Sequence, residues 1–527
     1  MPKVLISDEL SPAAAQIFRD RGVEVDVKTG LKKEELIEII GQYDGLAIRS
    51  ATKVTADVLA AATNLKVVGR AGIGVDNVDI PAATARGVVV MNTPFGNSIT
   101  TAEHAIAMMF AIARDIPAAN ASTQAGKWEK NRFMGVELYA KTLGLIGAGN
   151  IGSIVADRAQ GLKMQVVAYD PFLTPERALE MGVTKVELDE LFARADFITL
   201  HTPLTDGTRN IINAESIAKM KDGVRIINCA RGGLIVEEDL LAALNSGKVA
   251  RAALDVFAVE PAKQNILFGN ENVVCTPHLG ASTTEAQENV ALQVAEQMSA
   301  YLIEGAVSNA LNMPSVTAEE APRLRPYMKL AAQLGSLAGK LSAEVGIRKV
   351  TIEYEGNAAK LNTRPLTAIA LQGLLGPIMP SVNMVNAPVI AKERNIAVAD
   401  TKLEQTGGDY QTLMRITVEM DGKTRSVAGT LFADSQPRIV SIKGITVEAE
   451  VTPHMLYVTN HDKPGFIGAL GTILGDAGIN IATFNLGRAV AGEEAICLVA
   501  VDEAIPAAVV EKVRAIPQVK QAQALDF

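Results

Sequence analysis

A glycine-rich stretch over residues 141–170 constrains the fold of this chain more than any other segment. The run 143–146 (LGLI) has the length and apolarity of a buried parallel strand, and residues 147–152 (GAGNIG) follow it directly. Apolar residues then recur at helical spacing, and a second apolar run ends at Asp170. A strand, a GxGxxG turn, a helix, a second strand and an acid together predict a dinucleotide-binding βαβ unit.

Each residue type in this stretch has a chemical reason. Gly147 permits a tight turn, Gly149 lets the backbone approach a pyrophosphate, and Gly152 lets helix and strand pack closely. The helix N-terminus offers free N–H groups to phosphates. Asp170 can accept hydrogen bonds from a ribose diol and would repel a 2′-phosphate, and the next residue is Pro171, not arginine. The stretch therefore predicts NAD as the cofactor, in preference to NADP.

Length and composition narrow the class of protein. The 527 residues, 48% hydrophobic and 21% charged, predict three or four globular domains. The net charge of −9 and the pI near 5.4 argue against a nucleic-acid partner. The three cysteines are far apart, with neither disulfide nor metal-ligand spacing, which suits a reducing cytosol. We expect no metal, no signal peptide, no transmembrane helix and a cytoplasmic location.

Short apolar runs alternate with helical segments on both sides of the glycine-rich stretch. This alternation predicts an α/β fold with two Rossmann-like parallel-sheet domains and a cleft between them. We expect residues 1–97 plus 286–313 to form a substrate-binding domain and residues 98–285 to form the NAD-binding domain.

The pattern changes after residue 313. Residues 314–450 predict an intervening α+β domain, with Pro322 and Pro326 typical of a linker and a helix from Tyr327 to Val345. Residues 451–527 follow a βαββαβ order, which is typical of a ferredoxin-like domain.

Hydride transfer to NAD needs catalytic and substrate-binding side chains. We expect them at the ends of the predicted strands, because ligands of parallel sheets bind there. Removing a hydride from a secondary alcohol requires a base for the hydroxyl proton, and His278 suits this because its pKa lies near working pH. Glu260, on the other imidazole nitrogen, would fix the tautomer and favour the imidazolium. Arg231 offers a bidentate fork for a substrate carboxylate or carbonyl oxygen.

Three motifs follow GAGNIG in order: NCARGG (228–233), DVFAVEP (255–261) and TPHLGAST (276–283). They resemble the D-isomer-specific 2-hydroxyacid dehydrogenase family. Within it, GRAGIGVDNVDI (69–80) and MNTPFGNSITTAEH (91–104) resemble the 3-phosphoglycerate dehydrogenases of the long form. The resemblance implies NAD-dependent oxidation of 3-phospho-D-glycerate to 3-phosphohydroxypyruvate, the first step of L-serine biosynthesis.

The resemblance also assigns residues to roles. It implies that His278 is the proton donor and acceptor, Glu260 its partner and Arg231 the ligand of the substrate carboxylate. With the glycine-rich turn, it implies cofactor contacts at Ile73, Gly147, Gly149, Asn150, Ile151, Gly152, Asp170, Thr202, Cys229, Ala230, Asp255, Gly280 and Ala281. A substrate phosphate needs cations, and we expect substrate contacts at Arg49, Ser50, Arg70, Gly72 and Gly74, the last two through a nest of backbone N–H groups.

The C-terminal segment resembles the ACT domain of the long form at residues 460–465 (NHDKPG) and 478–481 (GINI). The resemblance implies an L-serine effector bound by Asn460, Asp462 and Asn480 between paired domains, in a homo-oligomer that is a tetramer. An ACT-type fold used only for assembly is the alternative.

Two other functions stay open. A reductase of another 2-keto acid, such as 2-oxoglutarate or hydroxypyruvate, would use the same catalytic residues. A non-catalytic NAD-sensing protein of the corepressor kind would keep the fold, but the complete set of Arg231, Glu260 and His278 argues against it. We interpret His104 as a packing residue and His201 as having a backbone role.

Overall fold

The computed structural model describes residues 1–316, 320–342, 346–405 and 410–527. Over these ranges the strands form four sheets. No helix within them is long and apolar enough to cross a membrane.

Four of the five strands in the first sheet are short, mostly apolar runs that are largely buried, as expected of parallel strands covered by helices, whereas the edge strand Glu24–Val27 is more exposed. Its elements are β1 (Lys3–Ile6), α1 (Pro12–Asp20), β2 (Glu24–Val27), α2 (Lys33–Ile39), β3 (Gly45–Ile48), α3 (Ala56–Ala61), β4 (Val67–Arg70), α4 (Ile80–Ala85) and β5 (Val89–Met91). The strands are parallel in the order β2-β1-β3-β4-β5. This is a doubly wound order, whose ligands bind at the carboxyl ends of the strands.

Two helices, α5 (Ser98–Ala113) and α6 (Ile116–Gln124), lead into the second sheet. Its elements are β6 (Thr142–Ile146), α7 (Asn150–Gly161), β7 (Gln165–Tyr169), α8 (Pro175–Glu180), β8 (Thr184–Lys185), α9 (Leu188–Arg194), β9 (Phe197–Leu200), α10 (Ala214–Ala218), β10 (Val224–Asn228), α11 (Glu237–Ser246), β11 (Val249–Leu254) and β12 (Val273–Cys275). The parallel order is β12-β11-β10-β9-β6-β7-β8. It reverses between β6 and β9, and the glycine-rich turn follows β6 at this switch point.

A long helix, α12 (Thr284–Glu304), packs back onto the first sheet. Val294 and Met298 of this helix are fully buried in the same core cluster as Val4 and Val67. A Cβ on Gly69 would lie 2.2 Å from the Met298 sulfur, so glycine in β4 allows the helix to approach this closely. The predicted pair of parallel α/β sheets is confirmed.

The third sheet is mixed. Its elements are α13 (Ala321–Ser342), β13 (Ile347–Gly356), α14 (Arg364–Leu375), α15 (Ala387–Glu393), β14 (Ala397–Leu403), β15 (Thr412–Met420), β16 (Lys423–Phe432), β17 (Gln436–Ile442) and β18 (Ile445–Ala449). Over the described residues the order is β14-β13-β15-β16-β17-β18; the β13–β14 pair is parallel and the other four pairs are antiparallel.

The linker interpretation of Pro322 and Pro326 is wrong, because both lie inside α13. Pro322 occupies the first turn, where a backbone N–H has no intrahelical partner to lose. Burial of apolar side chains such as Leu324 and Leu330 outweighs the hydrogen bond that Pro326 removes. The predicted end of this helix at Val345 lies outside the described residues.

The fourth sheet is antiparallel. Its elements are β19 (His454–His461), α16 (Phe466–Asp476), β20 (Ile481–Arg488), β21 (Glu494–Val501), α17 (Ala507–Arg514) and β22 (Val519–Asp526). The order β20-β21-β19-β22 is that of a ferredoxin-like βαββαβ fold, as predicted. Leu456 and Val458 of β19 face the two helices, whereas Met455 and Tyr457 join the core cluster of the third sheet.

Candidate active site

The glycine-rich turn has the geometry that its glycines predict. Gly147 has a φ of 95°, and a Cβ on it would lie 2.4 Å from the carbonyl oxygen of His201. A Cβ on Gly152 would lie 2.1 Å from the carbonyl oxygen of Gly147. At Gly149, by contrast, a Cβ would meet no atom of the described residues within 4 Å beyond its chain neighbours. The backbone is therefore open to a phosphate group where α7 begins.

Asp170 directly follows β7 and is hydrogen-bonded to the glycine-rich turn. One carboxylate oxygen accepts the Ala148 N–H at 2.8 Å and the other accepts the Phe172 N–H at 2.8 Å. Each oxygen keeps a lone pair that can accept a ribose hydroxyl. The open backbone at Gly149 and this anchored carboxylate fit the phosphates and adenosine ribose of NAD.

His278 and Glu260 form a hydrogen-bonded pair. His278 Nδ1 lies 2.7 Å from Glu260 Oε2, and Glu260 Oε1 accepts the Phe257 N–H at 3.0 Å. The hydrogen bond to Glu260 raises the pKa of His278 above its usual value, although burial opposes it. Burial by itself would raise the pKa of Glu260, but the hydrogen bonds from His278 and Phe257 lower it overall. The pair therefore has one basic nitrogen, Nε2, left for a substrate.

A buried carboxylate holds the loop that carries His278. Asp255 is 0% exposed and accepts hydrogen bonds from the Thr276 hydroxyl (2.6 Å), the Leu279 N–H (2.7 Å) and the Gly280 N–H (2.8 Å). The His278 N–H in turn donates to the Asp255 carbonyl oxygen at 2.9 Å. His278 itself has a φ of 57°, a conformation that non-glycine residues rarely adopt. The hydrogen bonds between Asp255 and this loop hold His278 in that conformation.

His104 is partly buried on α5 and makes polar contacts as well as packing contacts. Its Nε2 lies 3.2 Å from Asp255 Oδ1 and 3.2 Å from the Thr276 hydroxyl. Cys229 lies close by, so that one ligand atom from each of His104, Cys229 and Asp255 falls within 4.8 Å of the others. Sequence spacing could not reveal this convergence of a helix with two strand ends. The Asp255 carboxylate already accepts hydrogen bonds from two backbone N–H groups and a hydroxyl. Burial raises the pKa of the Cys229 thiol, which favours the protonated form.

A cavity of about 1100 Å³ is lined by residues of both parallel-sheet units. Among the predicted site residues, it is lined by Arg49, Ser50, Arg70, Gly72, Glu260, His278 and Ala281. Arg231 follows β10 and reaches the same place, because its Nε donates to Asp76 Oδ2 at 3.0 Å and Asp76 lines the cavity. The fold thus brings the predicted base, its partner and the predicted cations together.

The turn after β4 packs against two guanidinium groups. A Cβ on Gly72 would lie 1.8 Å from Arg70 Nη1, and a Cβ on Gly74 would lie 1.9 Å from Arg231 Nη2. The Gly72 N–H already donates to the Thr93 hydroxyl at 2.6 Å, so it is engaged and not a free member of a nest. Glycine at these positions leaves room for the two cations.

The remaining predicted cofactor residues lie at the same edge of the second sheet or beside it. Asn150 and Ile151 begin α7, Thr202 follows β9, and Cys229 and Ala230 follow β10. Ile73 lies in the turn after β4, where its carbonyl oxygen accepts a hydrogen bond from Asn92 at 2.7 Å. Their contacts with the cofactor stay predictions.

Three family models match the chain in succession. They describe a D-isomer specific 2-hydroxyacid dehydrogenase NAD-binding domain (residues 106–280), a D-3-phosphoglycerate dehydrogenase intervening domain (323–443) and an ACT domain (454–518). The D-3-phosphoglycerate dehydrogenase of Synechocystis is 44% identical over 524 residues, 99% of this chain and 94% of that protein. The D-3-phosphoglycerate dehydrogenase of Methanocaldococcus jannaschii is 44% identical over 529 residues, 100% of both. The chain belongs to the D-3-phosphoglycerate dehydrogenase family.

Solved structures resemble a large part of the chain. The TT0316 protein from Thermus thermophilus matches with a TM-score of 0.54 and 35% identity, covering 59% of this chain and 99% of that one. An NAD⁺-bound 3-phosphoglycerate dehydrogenase from Entamoeba histolytica matches with a TM-score of 0.51 and 31% identity, covering 59% of this chain and 98% of that one. Together with the family assignment, these matches show that the chain is an NAD-dependent oxidoreductase.

Several residues that organise the site of this family member were missed by sequence reasoning. They are Asp8, Lys53, Asp76, Asn77, Thr93 and Thr276. Asp8 and Asp76 are acids that follow predicted strands, so their position could have marked them. The others act through contacts with distant segments, for which the local pattern holds no signal.

The predicted effector residues of the ACT domain have internal partners. Asp462 Oδ2 accepts hydrogen bonds from Arg488 (2.6 Å) and the Gly492 N–H (3.0 Å), which lower its pKa. Asn480 donates to Asp502 at 2.7 Å. Asn460 is 1% exposed, and its Oδ1 has no hydrogen-bond partner among the described residues. Their role in binding an effector stays a prediction.

Proposed function

We propose that this protein oxidises 3-phospho-D-glycerate to 3-phosphohydroxypyruvate with NAD, the first step of L-serine biosynthesis. One observation carries the proposal. The hydrogen-bonded His278–Glu260 pair lines the same cavity as Arg49 and Arg70, which form no salt bridge among the described residues. A base beside unpaired cations suits a hydroxy acid that also bears a phosphate.

The proton of the substrate hydroxyl passes to Nε2 of His278. Glu260 holds Nδ1 at 2.7 Å, so it fixes the tautomer in which Nε2 is free and stabilises the imidazolium that forms. The glycine-rich turn and Asp170 would hold NAD, whose nicotinamide would accept the hydride. In reverse, the imidazolium returns its proton to the carbonyl oxygen of the keto acid.

Arginine side chains orient the substrate. Arg231 binds the C1 carboxylate, and its guanidinium is already oriented by Asp76 and by the Ala230 carbonyl oxygen at 2.7 Å. Arg49 and Arg70 bind the phosphate, with Ser50 and the turn at Gly72 and Gly74 beside them. Burial and the neighbouring Arg231 and Arg49 lower the pKa of Arg70 to about 10, so it stays charged at neutral pH. A buried cation crowded by like charges favours an anionic ligand.

The test compares substrates that differ only in the phosphate. Wild-type enzyme is assayed by NADH formation with 3-phospho-D-glycerate and with D-glycerate, alongside His278→Gln and Arg49→Met. We expect kcat/KM to favour the phosphorylated substrate by about 100-fold or more. Wild-type enzyme without such a preference would reject the assignment, and tight NADH binding without turnover would favour a sensing protein.

We further propose four domains: residues 1–97 plus 286–313, 98–285, 314–450 and 451–527. The four sheets and the ranges of the three family models support this division. We propose a cytoplasmic homotetramer in which paired ACT domains bind L-serine through Asn460, Asp462 and Asn480. Calorimetry that finds no L-serine binding at millimolar concentration would leave the ACT domain a role in assembly only.

A further inference from the structure

The acids and the cations of the cavity differ in whether they have partners. Each lining carboxylate accepts a hydrogen bond within the protein: Asp76 from Arg231, Asp79 from the Ala82 N–H, and Glu260 from His278. The lining cations Arg49, Lys53 and Arg70 form no salt bridge or side-chain hydrogen bond among the described residues. The charge that the cavity leaves uncompensated is therefore positive.

The loop that carries two of these cations is held by a buried carboxylate. Asp8, 5% exposed, accepts the N–H groups of Arg49 (2.7 Å), Ala51 (3.2 Å) and Thr52 (3.1 Å). It also accepts the Thr52 hydroxyl at 2.6 Å. Four donors on one carboxylate restrain the loop backbone, so binding an anion there needs little further ordering.

A second contact fixes the other side of the loop. Asn77 donates its amide hydrogens to the carbonyl oxygens of Arg49 at 2.9 Å and Thr52 at 2.7 Å. Lys53 follows directly, is exposed, and lines the cavity. A restrained backbone thus presents a flexible ammonium group close to Arg49 along the chain.

We propose that Lys53 is a third cation for the substrate phosphate, beside Arg49 and Arg70, and so sets the preference for a phosphorylated 2-hydroxy acid. This inference rests on the proposed function. A phosphate monoester carries roughly −1.5 to −2 at pH 7 and the substrate carboxylate adds a further negative charge, whereas Asp76 already offsets the charge of Arg231 and leaves Arg49 and Arg70.

The placement of the other arginines leaves this role open to Lys53. Arg70 and Arg231 pack on the turn at Gly72 and Gly74, two residues apart, and so are neighbours. Arg231 is assigned to the substrate carboxylate. The charges of both Arg231 and Arg49 act on Arg70, so Arg70 is shared between the carboxylate and the phosphate ends of the substrate. Lys53, on the separate loop of Arg49, supplies the remaining charge.

The experiment uses full-length enzyme and three variants, Lys53→Met, Lys53→Arg and the control Lys66→Met. Lys66 directly precedes β4 of the first sheet and forms a salt bridge with Asp44. Lys66→Met therefore removes one positive charge without removing a cation of the cavity. For each protein, kcat/KM is measured with 3-phospho-D-glycerate and with D-glycerate, and calorimetry gives the Kd for the phosphorylated substrate.

We expect Lys53→Met to lower the ratio of the two kcat/KM values by about 10- to 100-fold, mainly through KM, and to raise Kd in parallel. Lys53→Arg retains most of the ratio, and Lys66→Met leaves it as in wild type. An unchanged ratio in Lys53→Met, or equal losses with both substrates, overturns the role of Lys53. A wild-type enzyme that lacks any preference for phosphate instead overturns the proposed function.

Discussion

Arg231 Nε donates a hydrogen bond to Asp76 Oδ2 at 3.0 Å, and the two residues follow strands of different parallel sheets. Arg231 follows β10 of the second sheet, whereas Asp76 lies in the turn after β4 of the first. The pair therefore crosses the cleft and orients the guanidinium before a substrate arrives. It links the relative position of the two sheets to the geometry of carboxylate binding.

Replacing Asp76 tests this link. We expect Asp76→Asn to raise KM for the phosphorylated substrate about 3- to 10-fold, because the guanidinium of Arg231 loses an orienting partner. Asp189→Asn, which breaks the exposed ion pair with Lys219, is the matched control and should leave KM as in wild type. A lower KM in Asp76→Asn would mean that Asp76 competes with the substrate.

The pH profile reports on the His278–Glu260 pair. Neutral imidazole takes the hydroxyl proton, so oxidation rises as pH rises through the pKa of His278, which the hydrogen bond to Glu260 raises. Glu260→Gln should move the rising limb to lower pH and reduce kcat by about 100-fold or more, since the imidazolium loses its carboxylate. The measurement is a plot of log kcat against pH for wild type and Glu260→Gln. A rising limb at the same pH in both proteins would contradict this role of Glu260.

Two glycines of one turn should respond differently to the same added methyl group. A Cβ at Gly149 meets open space, whereas a Cβ at Gly152 lies 2.1 Å from the Gly147 carbonyl oxygen. Gly149→Ala should keep the wild-type melting temperature and weaken NADH binding about tenfold or more. Gly152→Ala should lower the free energy of unfolding by about 1–3 kcal/mol. Equal melting temperatures of the two variants in calorimetry, with equal NADH affinities in fluorescence titration, would contradict the distinction.

Acid should destabilise the NAD-binding unit through His201. Burial lowers the pKa of His201 to about 4, whereas an unfolded histidine titrates near about 6.5. Between these values the unfolded chain binds a proton that the folded chain does not, so stability falls as pH falls through this window. From pH 7 to pH 5 we expect this residue to cost up to about 2 kcal/mol.

Denaturant unfolding of His201→Asn at the two pH values measures this contribution. The variant should lose less stability than wild type on acidification. His454→Asn is the control, because His454 pairs with Asp526 in the fourth sheet. An identical loss in wild type and His201→Asn would exclude the effect.

The local pattern was sufficient for much of the fold. Strand β6 covers the run 143–146 that the sequence predicts as a buried strand, because so short an element is specified by its own residues. The order of strands, turns and acids was likewise sufficient to predict an NAD-binding unit. The pattern failed at Pro322 and Pro326, where packing of α13 against the third sheet outweighs the local preference of proline.

Contacts between residues far apart in the chain were decided by packing alone. The sequence identifies His278, Glu260 and Arg231 as chemical types at strand ends, but it carries no distance between them. Folding brings Asp8 to the loop of Arg49, and Asp76 to Arg231, over separations of 41 and 155 residues. Hydrogen bonds of this kind depend on three-dimensional position, which periodicity does not encode. The glycine-rich turn therefore predicts the cofactor, whereas the cavity with its unpaired cations exists only in the folded chain.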